Sequence, residues 1–181
     1  NPEVLYAGTI FGGAFKRSAE GVWTVLSGDF AFDTITALAF SPANSNVLLL
    51  GTEEFGAHLT TDGGASWTAV EAGGNVAFVR MFRFAPDDPL RILAATEGEG
   101  IYLSVDGGVE WGIISADVLS DFTRDVIFDP TDSRTLYAAA SGIDDVKMRE
   151  SSNGGGTWRE SGTSITSTVT SLAISRTNTN F

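Results

Sequence analysis

The side chains best suited to chemistry are acids and arginines that recur at matching places along the chain. Glu53-Glu54-Phe55, Glu97-Gly98-Glu99 and Gly142-Ile143-Asp144-Asp145 each set two carboxylates in a short segment, and Ile10-Phe11-Gly12 is the fourth segment of the set. Such a ring of acids can bind a cation, contact a basic partner or supply the acid and base of a glycosidase. The plainer alternative, a solvated acidic loop on an acidic protein, carries more weight. Arg80 and Arg124 each open an apolar run at equivalent positions. Two guanidiniums there could clamp a carboxylate bidentately, although pairing with neighbouring acids such as Asp125 or Asp121 is the expected arrangement. His58 is the single histidine and there is no cysteine. Thiol catalysis, zinc–thiolate sites, histidine-based triads and histidine-based metal sites are thereby excluded, and no metal or cofactor is expected.

Composition narrows the partners. Of the 181 residues, 43% are hydrophobic and 19% charged, an ordinary balance for a folded domain, and the formal charge is −12. Nucleic acid and anionic membrane surfaces disfavour so acidic a protein. No apolar run approaches the roughly 20 residues that span a bilayer, so membrane insertion is not expected. The chain opens at Asn1 without a signal-like segment, which reads as a processed, trimmed or partial product.

The elements that must position these side chains follow from a repeat. All four tryptophans, Trp23, Trp67, Trp111 and Trp158, close versions of one phrase. Three copies are full: Thr60-Thr-Asp62-Gly-Gly64-Ala-Ser66-Trp67, Ser104-Val-Asp106-Gly-Gly108-Val-Glu110-Trp111 and Ser151-Ser-Asn153-Gly-Gly155-Gly-Thr157-Trp158. The fourth, Ser18-Ala-Glu20-Gly21-Val-Trp23, is two residues short. An Asp or Asn there accepts hydrogen bonds from backbone a few residues on, glycine permits positive φ, and Trp packs against its neighbours. Asp62, Gly64, Trp67, Asp106, Gly108, Trp111, Asn153, Gly155 and Trp158 are therefore expected to be structural.

Between the phrases, four runs of four to six residues recur in constant order, bounded by Gly, Asp, Asn and Pro, with Pro42, Pro86 and Pro130 stopping the last. No stretch carries a convincing helical period. Four strands in a unit of about 45 residues predict an all-β fold, a β-propeller of four-stranded antiparallel blades. The units run 1–43, 44–87, 88–131 and 132–181 within a single domain. Because the last fourth-type run precedes, in repeat order, the strand that begins the chain, closure through the termini is expected. Part of a larger propeller, or self-association of two chains into one ring, fits equally well.

The phrase resembles the Asp-box, or bacterial neuraminidase repeat, of sialidases, sortilin-type receptors, xyloglucan-degrading hydrolases and photosystem II assembly factors. The resemblance implies a propeller whose Asp turns lie on the face away from the binding site, and an extracytoplasmic location. It places Glu53, Glu54, Phe55, Glu97, Glu99, Asp144 and Asp145, with Arg80 and Arg124, on the binding face. It implies no one function, since the family holds enzymes and pure binding proteins. A sialidase would use three arginines, but Thr36 and Thr170 fill the other two positions; Tyr6, Tyr102 and Tyr137 read as packing residues, and Arg83-Phe-Ala-Pro86 only approaches the sialidase Arg-Ile-Pro phrase. The expectation is a non-catalytic protein- or glycan-binding or assembly scaffold, with a fragment of a xyloglucanase- or sialidase-like glycoside hydrolase as the alternative. Phe30, Phe32 and Phe78 flank inter-blade loops, where exposed aromatics could stack on a sugar or meet a protein; burial at the rim is the equal alternative.

Overall fold

The computed structural model describes residues 4–70, 78–115, 122–141, 146–162, 165 and 169–175. Among them every regular element is a strand. The first sheet holds β1 (Leu5–Gly8), β2 (Ala14–Arg17) and β3 (Trp23–Val25), and the second β4 (Ile35–Phe40), β5 (Leu48–Thr52), β6 (Ala57–Thr60) and β7 (Thr68–Ala69). The third holds β8 (Val79–Phe84), β9 (Ile92–Thr96), β10 (Ile101–Ser104) and β11 (Gly112–Ile113), and the fourth β12 (Phe122–Phe128), β13 (Leu136–Ser141), β14 (Val146–Ser151) and β15 (Arg159–Glu160). Each is an antiparallel meander in chain order. β4, β8 and β12 are the inner strands: β4 contacts β1 and β8, and β12 contacts β8. This is a run of propeller blades.

Local chemistry repeats with the strands. Proline ends each inner strand because the residue before it donates the closing bond instead: Ser41 N–H to Val47, Ala85 N–H to Arg91 and Asp129 N–H to Thr135. The middle strands β5 and β9 are buried along their whole length, since sheets cover both faces. The core therefore lies between blades. Leu50, Phe30, Leu26 and Ala14 fill the first interface, Leu49, Val79, Phe82 and Trp111 the second, and Leu93, Ile101, Val126 and Leu136 the third. A Cβ at Gly51 would stand 2.9 Å from the Cβ of Val79 and 3.1 Å from its carbonyl oxygen. Glycine there is what lets the second and third blades approach.

Among the described residues the two ends of the chain differ from the blades between them. The first sheet has three strands rather than four, and β1 pairs only with β2 among the described residues. Residues 169–175 form no strand; they lie against the fourth blade, where the Leu172 N–H (2.8 Å) and Ser171 hydroxyl (3.2 Å) donate to buried Asp125. The described residues thus show no closure of one end on the other. Trp23 is 47% exposed, whereas Trp111 is 7%. Each later phrase packs against the preceding blade, Gly64 meeting Leu26, Gly108 meeting Leu49 and Gly155 meeting Ile114; Trp23 has no earlier blade to meet among the described residues.

Candidate binding cleft between the first two blades

Antiparallel order sends the loops to two ends. The acid-and-glycine turns and the proline turns share one end. The β1–β2, β5–β6 and β9–β10 loops share the other, with the starts of β4, β8 and β12.

At the first end the carboxylates are consumed by their own turns. Asp62 accepts from the Thr60 hydroxyl (2.7 Å), the Ser66 N–H (2.9 Å) and the Ser66 hydroxyl (2.6 Å). Those bonds, Ser66 first, hold its pKa far below the ordinary carboxylate value. Asp106 accepts from the Ser104 hydroxyl and the Glu110 N–H, and Asn153 from the Ser151 hydroxyl and the Thr157 N–H. For Asp106, burial works to raise the pKa, and the bonds from Glu110, Ser104 and Val109 together outweigh it, so the net shift is downward. A cavity of about 400 Å³ also opens at this end, beside Tyr6 and Lys16. Both head groups are tied to the Gly63 carbonyl oxygen, at 2.7 and 2.8 Å.

At the second end one loop is built three times. Thr9, Thr52 and Thr96 each use both N–H and hydroxyl to bond the carbonyl four residues on, at Gly13, Gly56 and Gly100. The middle residue is Phe11, Glu54 or Gly98. Gly98 adopts φ +97°, and Phe11 adopts φ +57°. Phenylalanine thus occupies a left-handed position that glycine fills in the third blade, at about 1–2 kcal/mol of strain. Phe32, in the β3–β4 connection, carries the same strain at φ +74°. Neither side chain recovers it by packing, for Phe11 is 75% exposed and Phe32 83%. Strain of this kind collects where a side chain must be presented.

The two strained phenylalanines and half-exposed Phe55 (54%) line a cleft of about 220 Å³ with Ala31, Asp33, Glu53 and Glu54. Asp33 ties its walls together: buried, it accepts from the N–H groups of Thr34, Glu54 and Phe55 at 2.6, 3.2 and 3.4 Å. Thr34 completes the link by accepting from the Phe11 N–H at 3.4 Å and from the Glu53 N–H at 3.0 Å. Next to Ala31 in the chain, Phe30 belongs to the core of the first interface, fully buried and edge-on to His58 (5.1 Å) and Trp67 (5.2 Å). Burial, opposed by Asp29, the Phe55 backbone and Asp33, pushes the His58 pKa below its ordinary value. The aromatics flanking the loops therefore divide: Phe30 is core, Phe32 is open and Phe78, also at positive φ (+57°), is half-buried.

The predicted residues likewise divide. The cleft gathers Glu53, Glu54 and Phe55. Arg80 and Glu97 form an ion pair within the third blade, and Glu99 accepts from the Tyr102 hydroxyl at 3.2 Å. The partner expected for Arg80 was Asp125 or Asp121; its loop neighbour Glu97 is nearer, and Asp125 meets Arg83 instead, at 3.7 Å. Asp121, Asp144 and Asp145 lie outside the described residues. Arg124 is half-buried. Thr36, Arg80 and Arg124 are each the extra residue of a β-bulge, falling between Ile35 and Ala37, Val79 and Met81, and Thr123 and Asp125. Phe11 and Phe32 were legible as aromatics near loops, but their left-handed backbone, which marks them out, has no signature in residue type.

No family model and no curated protein matches the chain. Solved structures do. An ancestral GH74 enzyme is similar over 90% of this chain and 23% of its own (23% identity, TM-score 0.71), and the GH74 enzyme of Niastella koreensis over 88% and 28% (19%, 0.74). YCF48 bound to D1 peptide is similar over 82% of this chain and 48% of its own (16%, 0.56). The chain thus spans about a quarter of the length of the GH74 enzymes it matches. At these identities the likeness shows the propeller fold. Among the described residues no helix is long and apolar enough to cross a membrane, and no three His, Asp or Glu side chains are grouped to hold a metal ion.

Proposed function

We propose that this chain is a non-catalytic binding or assembly scaffold of the Asp-box propeller type, taking a protein or carbohydrate ligand in the cleft between its first two blades. One observation carries the reading: Phe11 and Phe32 are held in a strained backbone, exposed, over a cleft. Folding gains nothing from that arrangement, so a ligand is the economical reason for it. The Asp-type turns support the family assignment through their bonding, and an extracytoplasmic location goes with it. Arg80, Glu97 and Glu99 are engaged within their own blade and lend the cleft nothing; Arg124, Asp144 and Asp145 stay assigned to the same face by their place in the repeat.

The second reading is a portion of a glycoside hydrolase propeller, favoured by the likeness to GH74 enzymes. The two are separated by measuring reducing sugar released from xyloglucan alongside ligand retention on the immobilised chain. The expected result is no sugar release, with a retained ligand lost from the Phe11→Ala/Phe55→Ala variant. Sugar release abolished by Glu53→Gln or Glu97→Gln would replace the scaffold with the hydrolase.

A further inference from the structure

The polar chemistry of the cleft is one-sided. Its lining side chains are Phe11, Ala31, Phe32, Asp33, Glu53, Glu54 and Phe55, and none of them is a hydrogen-bond donor. The nearby N–H groups of Phe11, Glu53, Glu54 and Phe55 are already spent on Thr34, Asp33 and, for Phe55, the Thr52 hydroxyl at 2.8 Å. Asp33 is itself satisfied by three donors. Glu53 and Glu54, one half-exposed and one open, have no ion pair among the described residues. Every side-chain group left to a ligand is therefore an acceptor: two carboxylates, and ring faces whose quadrupole is negative.

A sugar hydroxyl, which both donates and accepts, would find half its capacity unmet. An ammonium or guanidinium group only donates and is attracted to both kinds of wall. Size agrees, because about 220 Å³ is less than the roughly 300 Å³ at which small-molecule pockets begin and suits one side-chain head. The −12 charge of the whole chain would steer a basic partner toward it.

From these observations we infer that the cleft recognises a lysine or arginine side chain presented by a basic segment of a protein partner. The inference rests on the proposed ligand-binding role and names its chemistry. The partner's aliphatic stem lies against Phe11, Phe32 and Phe55, and its charged head meets Glu53 and Glu54.

The test titrates the full chain with an acetylated, amidated octapeptide of alternating lysine and glycine, and with the same peptide carrying norleucine for lysine. Heteronuclear NMR locates the response. Binding of the lysine peptide should shift the amides of residues 9–13, 31–34 and 53–56. It should weaken at least tenfold in Glu53→Gln/Glu54→Gln and in Phe11→Gly, weaken with added salt, and be absent for the norleucine peptide. No binding at millimolar lysine peptide overturns the inference. Equal binding of the norleucine peptide, or a response unchanged in Glu53→Gln/Glu54→Gln but lost in Phe11→Gly, overturns the cation while leaving a ligand cleft. A xyloglucan oligosaccharide shifting the same amides where the lysine peptide does not would also overturn it and point to a glycan. Binding indifferent to the phenylalanine substitution would overturn both the cation and the cleft.

Discussion

Phe11 is exposed at the cleft and Phe30 is buried in the first interface; the proposed function gives them opposite roles, and stability measures the difference. Replacing Phe11 by glycine relieves about 1–2 kcal/mol of left-handed strain. It loosens the unfolded chain, at about 0.4–1 kcal/mol. Only a quarter of the side chain is covered, so the lost burial is about 0.4–0.8 kcal/mol of the ~1.5–3 kcal/mol a buried phenylalanine contributes. The sum lies within about 1 kcal/mol of zero. Phe30→Ala removes a fully buried ring that stacks edge-on with both His58 and Trp67, and should cost about 3–5 kcal/mol. At about 2–4 °C per kcal/mol for a domain of this size, the melting temperature falls by roughly 6–20 °C for Phe30→Ala and moves by no more than about 4 °C for Phe11→Gly. Urea and thermal unfolding followed by tryptophan fluorescence read both. A loss in Phe11→Gly comparable to that in Phe30→Ala would make Phe11 a packing residue and remove the argument for a presented aromatic.

The repeat supplies a second contrast: Trp111→Ala should lose about 3–5 kcal/mol in urea denaturation, and the half-exposed Trp23→Ala less than about 1 kcal/mol. Gly51→Ala drives a methyl group into Val79 and should lose about 1–3 kcal/mol, measured the same way. Arg80→Ala breaks a partly exposed ion pair and should change stability by less than about 1 kcal/mol. Because hydrogen bonds hold the pKa values of Asp62, Asp106 and Asp129 below their ordinary 3.8, the stability they confer is whole above that value and is lost as pH falls through the lowered one. Melting temperature should therefore drop below pH 4, and the drop should be shallower in Asp106→Asn, whose amide can bond as Asn153 does.

The repeat made the blades legible, because a turn phrase with its own hydrogen bonds needs little help from tertiary context. Asp62, Asp106 and Asn153 bond much as their residue types require. Trp23 shows the limit of the same signal: an identical residue at an equivalent place is exposed where the described residues set no sheet before it. Arg80 shows another, since a charge chooses the nearest acid in space, and Glu97 was seventeen residues away along the chain. Phe11 was hardest. Its left-handed backbone follows from the loop Thr9–Gly13 as a whole, and only comparison with Gly98 in the third copy hints at it.

The bulges at Thr36, Arg80 and Arg124 have one more implication. A residue inserted into a strand without a partner across the ladder is released from the alternation that dictates every neighbour's character. Its side chain can thus be exchanged between threonine and arginine while the surrounding sheet keeps its pairing. The inner rim of this fold is in that sense a set of interchangeable sockets, and its chemistry can be rewritten one blade at a time.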